Sequence, residues 1–355
     1  MKTTYTPNHL CLVILLLIAG TLSGWAEDLE SLKRKEINRS FNVSRSDRLD
    51  IDNRYGSITV TYWEKNEVAI RVVVESKAND DRLAQEELDR IEISFSKSGD
   101  TVRALTSVRN RTGGGNSQFT VRYFVSMPSR LGATLAQKYG DINMPDNNDG
   151  KYNLDVKYGN IHAGNFSQPL DIEAGYSNIA LGKAGDLTID ARYCGNISLG
   201  DIAKLTIDCK YSNVVVRDVA DMSLENSYGN IKAGTVNNLT IETKYGEAKI
   251  EGIKETLSIR SLAYGTVSVD KLDDDFKSVS ADARYGTLNV KVSRKASFRI
   301  TAESMKYGSV NVKGLTITDS SNTNKTDYYY RINGGGNRQI SFDGNSFGKL
   351  NINAL

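Results

Sequence analysis

The side chains able to do chemistry are few, and their spacing points away from catalysis. The sequence holds two histidines and three cysteines. His9 and Cys11 fall in an apolar leader, so the working chain offers His162, Cys194 and Cys209. A multi-histidine metal site is excluded, and a Ser/His/Asp triad would rest on His162 alone. Strand parity turns His162 outward, so it reads as a solvated side chain. Cys194 and Cys209 have neither a CxxC spacing nor a nearby histidine to activate a thiolate. An oxidising compartment would allow them to pair, but the repeat described next puts Cys209 in an inward slot and Cys194 in a corner. Two separate small core residues is the better reading. Carboxylates are abundant but periodic, whereas a catalytic pair breaks the pattern and sits in a cleft. The one irregular acidic run, Asp273 to Asp275, lies between Lys271 and Lys277. Its oxygens suit Ca²⁺, and a solvated acidic turn is the plainer reading. DNNDG (146–150) departs from the EF-hand spacing and reads as a turn. The expectation is a non-enzyme with no catalytic, cofactor-binding or metal-binding residues and no cofactor.

The elements around these residues begin with a leader. Lys2, the apolar run Leu10 to Ala19 and a small, polar stretch ending at Ala26 read as a secretory signal over 1–26. The run is about half the roughly 20 residues that a helix needs to cross a bilayer, and nothing later is apolar enough to anchor the chain. Cys11 does not end a lipoprotein-type box, so no lipid anchor is expected. A formal net charge of +2 gives no global field to steer the chain to nucleic acid or a membrane surface. With 30 Gly, 18 Tyr and only 4 Pro, and few helix-forming stretches, the chain reads as all-β.

A tyrosine followed by Gly or Ser, with an apolar residue three positions on, recurs at Tyr55, Tyr139, Tyr158, Tyr176, Tyr211, Tyr228, Tyr245, Tyr264, Tyr285 and Tyr307; Tyr193 joins them as YCGNI. From Tyr139 onward the steps run from 17 to 22 residues. A period near 18 that tolerates insertions marks stacked coils. Units such as LTIDCKYSNVVV (205–216) and LTIETKYGEAKI (239–250) place apolar or small residues at −6, −4 and −2 from the tyrosine, then at +3 and +5. This is strand alternation with one change of parity. The step after the tyrosine must therefore turn the chain between two short strands, and Gly is expected to supply the backbone freedom.

Such a unit cannot bury its own apolar face, so stacking must. The expected fold is a parallel β-helix, or β-solenoid, with Tyr-Gly-x-Ile rungs. At about 4.8 Å per rung, the ten units from Tyr139 to Tyr307 would form a column of about 45 Å, with the tyrosines as an aromatic ladder at one corner. Position −3 is acidic in eight of eleven units and position −1 basic in eight. Opposite columns one side chain apart largely cancel. They read as a solvated face that keeps the stack soluble, in preference to a basic stripe for an anionic glycan.

The expected domains are a β-rich N-terminal module over 27–130 and the solenoid with a C-terminal hairpin over 131–355. Within the first, VAIRVVVES (68–76), RIEISFS (90–96), TVRALTSV (101–108) and FTVRYFVSMP (119–128) alternate like strands. A short helix is expected from Asp81 to Arg90, and GGG (113–115) offers a hairpin loop. At the far end, DYYYRINGGGNRQISF (327–342) suggests a hairpin around Gly334 to Gly336, DSSNTNKTD (319–327) a loose loop, and SFGKLNI (346–352) a last unit with Phe347 in the tyrosine position.

The ordered set DRLDIDNRYGSITVTYW, a V-x-I-x-V strand, a polar helix, V-x-MPSRLGATLAQKYGDI and serial YGNI units resembles the bacterial putative adhesin family of unknown biochemical function, related to auto-transporter adhesin head domains and Bacteroidetes-like in its tyrosine-rich rungs. The resemblance covers about Arg48 to Leu355. It implies a β-helical fold and an extracytoplasmic place, and transfers no binding residues. The functional expectation is an exported, non-catalytic structural or adhesin-like protein of the cell envelope, in the periplasm or at the cell surface, with a glycan or an envelope protein as partner. The alternatives are a periplasmic scaffold or sensor in envelope-stress signalling and a β-helix polysaccharide-active enzyme.

Overall fold

A computed structural model describes residues 31–110 and 117–355. The leader, with His9 and Cys11, and the glycine run 113–115 lie outside the described residues. The described chain is all-β, a long mixed sheet with one short helix, Asp81–Asp89.

Each central unit forms two strands around its tyrosine, as in Ala184–Arg192 with Asn196–Leu199 and Ile202–Lys210 with Asn213–Val216. Both strands pair in parallel with their equivalents one unit on: Ile189 lies against Ile207 and Ile207 against Leu224, while Ile179 lies against Ile197 and Ile197 against Val214. One unit of sequence thus advances one strand spacing, and the Leu, Ile and Val columns are buried as a single continuous core. Position −2 faces inward, but it is not uniformly apolar or small. Asn53, Gln137, Asn226 and Thr243 are buried there. Their amides are satisfied across rungs, Asn53 Nδ2 donating to Gln137 Oε1 at 2.9 Å and Asn226 Nδ2 to Thr243 Oγ1 at 3.2 Å.

The corner corrects the expectation about glycine. The left-handed residue is the tyrosine: all eleven repeat tyrosines, and Phe347, have φ between +52° and +62°. Of the glycines that follow them, only Gly140 has a positive φ. Glycine stands there because successive corners nearly touch. A Cβ on Gly140 would lie 1.5 Å from the Gly56 carbonyl oxygen, and one on Gly159 would lie 1.8 Å from that of Gly140. Where Ser177, Cys194 or Ser212 takes this place, the side chain is buried and returns to the corner backbone, Ser177 Oγ donating to Gly175 O at 2.7 Å and Ser212 Oγ to Lys210 O at 2.9 Å. The tyrosine N–H is not orphaned by the turn. It donates to the −1 carbonyl of the next rung, as from Tyr211 to Ser227 and Tyr228 to Lys244 at 2.9–3.0 Å.

The first unit joins the stack directly: Arg48–Tyr62 pairs in parallel with Gly132–Asn143, placing Gly56 against Gly140. Its other edge is covered by Thr101–Val108 and Ser117–Met127, from which Ile91–Ser98, Glu67–Ala78 and Ser31–Asn42 continue antiparallel. The expected strands and helix of this region are present. Asp80 caps the helix, its carboxylate accepting from the Leu83 N–H at 2.8 Å.

The far end differs from expectation. Asp327–Ile332 does not form a hairpin with Gln339–Asp343. It pairs antiparallel with Ile317–Thr323, of which 319–323 fall in the stretch expected to be loop, and with Phe298–Glu303. Gln339–Asp343 and Lys349–Ala354 instead slide between the last two tyrosine units, parallel to both. The last unit in sequence is therefore the penultimate rung in space. The apolar pattern of a rung is the same in either position, so only the three-dimensional pairing distinguishes them.

Close approach at the corner makes a sharp prediction. Gly159→Ala should cost about 2 kcal/mol through overpacking, whereas Gly185→Ala, where an added Cβ meets nothing within 4 Å, should change stability by about 0.5 kcal/mol or less. Chemical denaturation of both variants measures this, and equal midpoints would contradict it.

Candidate functional site

The left-handed corner throws each ring out of the stack, where strand spacing aligns it with the next. Twelve aromatic side chains of the described residues form one ladder from Tyr55 through Tyr139 and Tyr158 to Tyr285, then Phe347 and Tyr307. Successive centroids lie 4.8–5.1 Å apart, with planes within 20° of parallel. This matches the strand spacing and falls in the offset-stacked range. Phe119 closes the N-terminal end edge-on against Tyr55 at 5.0 Å. The rings are 40–69% exposed. Their faces cover one another, so the solvent-facing surface is a row of ring edges and hydroxyls.

The basic −1 column runs beside the ladder, and its cancellation by the acidic −3 column is partial. Lys157 pairs with Glu173 at 3.2 Å and Asp155 at 4.0 Å; Arg192 pairs with Asp208 at 2.7 Å and Asp190 at 3.0 Å. Lys138 and Lys306 instead reach over the Tyr139 and Tyr307 rings, at 5.0 and 5.4 Å. Arg54, Lys210, Lys244 and Arg284 form no ion pair among the described residues. Half-burial raises the Asp155 carboxyl; the Lys157 ammonium opposes this, and the Glu173 and Asp52 carboxylates add to it.

The other flank of the ladder is a column that the sequence reading missed. At position +2, Asn160 Nδ2 donates to Asp141 Oδ1 and Asn178 Nδ2 to Asn160 Oδ1, both at 2.9 Å; Asn196, its equivalent at +3 in the YCGNI unit, donates its N–H to Asn178 Oδ1 at 2.9 Å. A second ladder at +4 runs Asn289, Asn351, Asn311 at 2.8 Å per step. The recurrent YGNI and YSNI units carried the signal for the first. The second depends on the inserted C-terminal rung. A groove of about 560 Å³ lies along this flank, between Tyr245, Tyr264 and Tyr285 and the side chains of Asn230, Glu247, Thr266 and Thr287.

The residues singled out from sequence are not brought together. His162 is exposed on Asn160–His162. Cys194 and Cys209 are buried and free. Their thiols donate to backbone at 3.6 Å, Cys194 to Ala174 O and Cys209 to Glu225 O. Burial raises the Cys194 thiol and pushes Cys209 up to about 12, the Asp208 carboxylate adding to the latter. In the acidic run, Asp273 accepts from the Asp275 N–H at 2.9 Å and Asp275 pairs with Arg338 at 2.5 Å. Among the described residues no group of three or more His, Cys, Asp or Glu is placed to hold a metal. DNNDG proves structural: buried Asn148 accepts from Tyr62 Oη at 2.6 Å, and the Tyr62 and Tyr152 hydroxyls meet at 2.8 Å. No described helix is long and apolar enough to cross a membrane.

No family model and no curated protein matches this chain. Solved structures similar to it include a putative cell adhesion protein from Clostridium sporogenes, 11% identical, covering 91% of this chain and 100% of that one with a TM-score of 0.20. A putative adhesin from Parabacteroides distasonis is 10% identical over 73% of this chain and 93% of its own, with a TM-score of 0.32. A putative lipid binding protein from the same organism is 10% identical over 72% and 93%, with a TM-score of 0.30. Two of the three carry an adhesion description.

The thiol environments set a testable outcome. At pH 8, peptide mapping should find Cys194 and Cys209 unlabelled by a thiol-specific reagent in the folded protein and labelled in denaturant. Rapid labelling of either residue under native conditions would contradict their burial.

Proposed function

We propose that this chain is an exported, non-catalytic β-solenoid that serves the bacterial cell envelope as a structural or adhesin-like element, in the periplasm or at the cell surface. The observation that carries this reading is the unbroken ladder, which gives the molecule one long, regular, exposed face. The solenoid reading is supported by the parallel, unit-to-unit register of both strands of the repeat. The export reading is supported by the leader-like composition of residues 1–26.

The non-catalytic reading is supported by where the reactive groups lie. The thiols are buried with raised pKa values, and where three carboxylates do share a groove, Asp282, Glu303 and Asp343, they stand in register along the stack as the repeat places them. One groove lies on the antiparallel N-terminal strands, between Arg39, Arg71 and Phe124, and another follows the columns of the repeat beside Tyr245 and Tyr264. A face of this kind fits an extended partner, a glycan or an envelope protein, as other stacked-repeat proteins use their long sides.

An array of surface glycans and matrix proteins probed with the protein should show selective binding to at least one component. Uniform silence, with a single protein partner recovered by crosslinking from envelope extracts, would replace the adhesin-like reading with the scaffold one. New unsaturated products from uronic-acid polysaccharides would overturn the non-catalytic reading.

A further inference from the structure

We infer that the aromatic ladder and its basic flank form a linear binding track for an extended, anionic, β-1,4-linked glycan; this deepens the adhesin-like reading and rests on it. A left-handed backbone costs a residue other than glycine about 1–2 kcal/mol, and a stacked aromatic pair returns about 0.5–1.5 kcal/mol. The ring therefore brings little net stability over Gly or Asn, which occupy this conformation more easily. Yet an aromatic residue stands at all twelve stations, exposed. Strain repeated on an exposed face points to use of that face.

Ring faces are taken up by neighbouring rings at 4.8–5.1 Å, so bases of a single-stranded nucleic acid, which bind by stacking on such faces, have no platform. Hydroxyls and ring edges remain, one set per rung, and they suit a ligand rich in hydroxyls. An extended β-1,4-linked glycan advances by about one strand spacing per sugar and turns over at each linkage, so alternate sugars present the same edge to alternate rungs. Small ligands would gain nothing from the repetition.

Arg54, Lys210, Lys244 and Arg284 stand nearest the ladder without ion pairs among the described residues, and Lys138 and Lys306 turn onto its rings; Asp52, Glu225, Glu242 and Asp282, which also form no ion pair among the described residues, stand two residues further from it along the strand. Glu247 lies on the opposite flank. A uronate polymer on the track would therefore direct the carboxylates of alternate sugars to the basic column, where Lys210 and Lys244 stand two rungs apart with Ser227 between them.

Calorimetric titration tests this with three probes of twelve sugars: β-1,4-linked oligomannuronate, neutral cello-oligosaccharide, and α-1,4-linked oligogalacturonate, which has the same charge but a different rise. Oligomannuronate should bind, more tightly with length, and at least about tenfold better than either control. The triple variant Tyr193→Asn/Tyr211→Asn/Tyr228→Asn should lose about tenfold in affinity with little change in unfolding midpoint. The triple Phe variant at the same sites keeps the stack and should lose affinity through the missing hydroxyls. Lys210→Gln/Lys244→Gln should weaken binding and its salt dependence. Equal binding of oligogalacturonate, unchanged affinity in both tyrosine variants, or silence toward oligomannuronate would overturn the track. A different matrix component held equally by wild type and the tyrosine variants would overturn it while leaving the adhesin-like reading in place.

Discussion

Everything regular in this molecule follows from the narrow space where one corner crosses the next. Parallel strands set the rung spacing, and at the corner that spacing brings backbone against backbone, leaving room after the tyrosine only for glycine or, at three rungs, for a small side chain turned back onto the corner. The chain must turn there and still satisfy its hydrogen bonds. A left-handed tyrosine does both, aiming its N–H at the carbonyl of the next rung. The same turn ejects the ring, so the ladder is a geometric result of the corner. The parity change that puts −2 and +3 on the same buried side comes from it too.

Stability must then come from the stack as a whole. A single rung is too thin to bury an apolar face, and the left-handed turn is a cost at every station. Columns of Leu, Ile and Val supply the favourable term, while amide ladders at +2 and +4 and the inward Asn and Thr pairs fix register by requiring like to meet like. A slip of one rung would break Asn53 from Gln137 and Asn226 from Thr243. The ends are closed by different means. Antiparallel strands and the capped helix extend the sheet at the N-terminal end, and a hairpin covers Phe298–Glu303 at the other.

Much of this was legible in the residues. The alternation around each tyrosine gave both strands and the buried columns, and the period gave the ladder, because each depends on local pattern alone. The identity of the left-handed residue was not legible. Glycine after tyrosine suggests freedom of φ, and only the interatomic distances between rungs show that glycine is there for lack of space. The polar residues at −2 hid among small ones, since burial of Asn226 is made tolerable by the Gly229 carbonyl and by Cys209 and Thr243, each seventeen residues away on a neighbouring rung. Insertion of the Phe347 rung between Tyr285 and Tyr307 was hidden because stacking order need not follow chain order. Of the candidate site, the tyrosines and the basic column were visible, but their meaning changed. Among the described residues, ion pairing neutralises the basic column only at Lys157 and Arg192, which side-chain geometry alone shows.

The central claim, that the tyrosine and not the glycine carries the left-handed turn, is open to one direct measurement. NMR of the protein selectively labelled with ¹³C and ¹⁵N at tyrosine reports φ through backbone shifts and couplings. The account predicts a left-handed signature for the eleven ladder tyrosines, against ordinary negative φ for Tyr62, Tyr123, Tyr152, Tyr328, Tyr329 and Tyr330. Extended signatures at the ladder positions would contradict it.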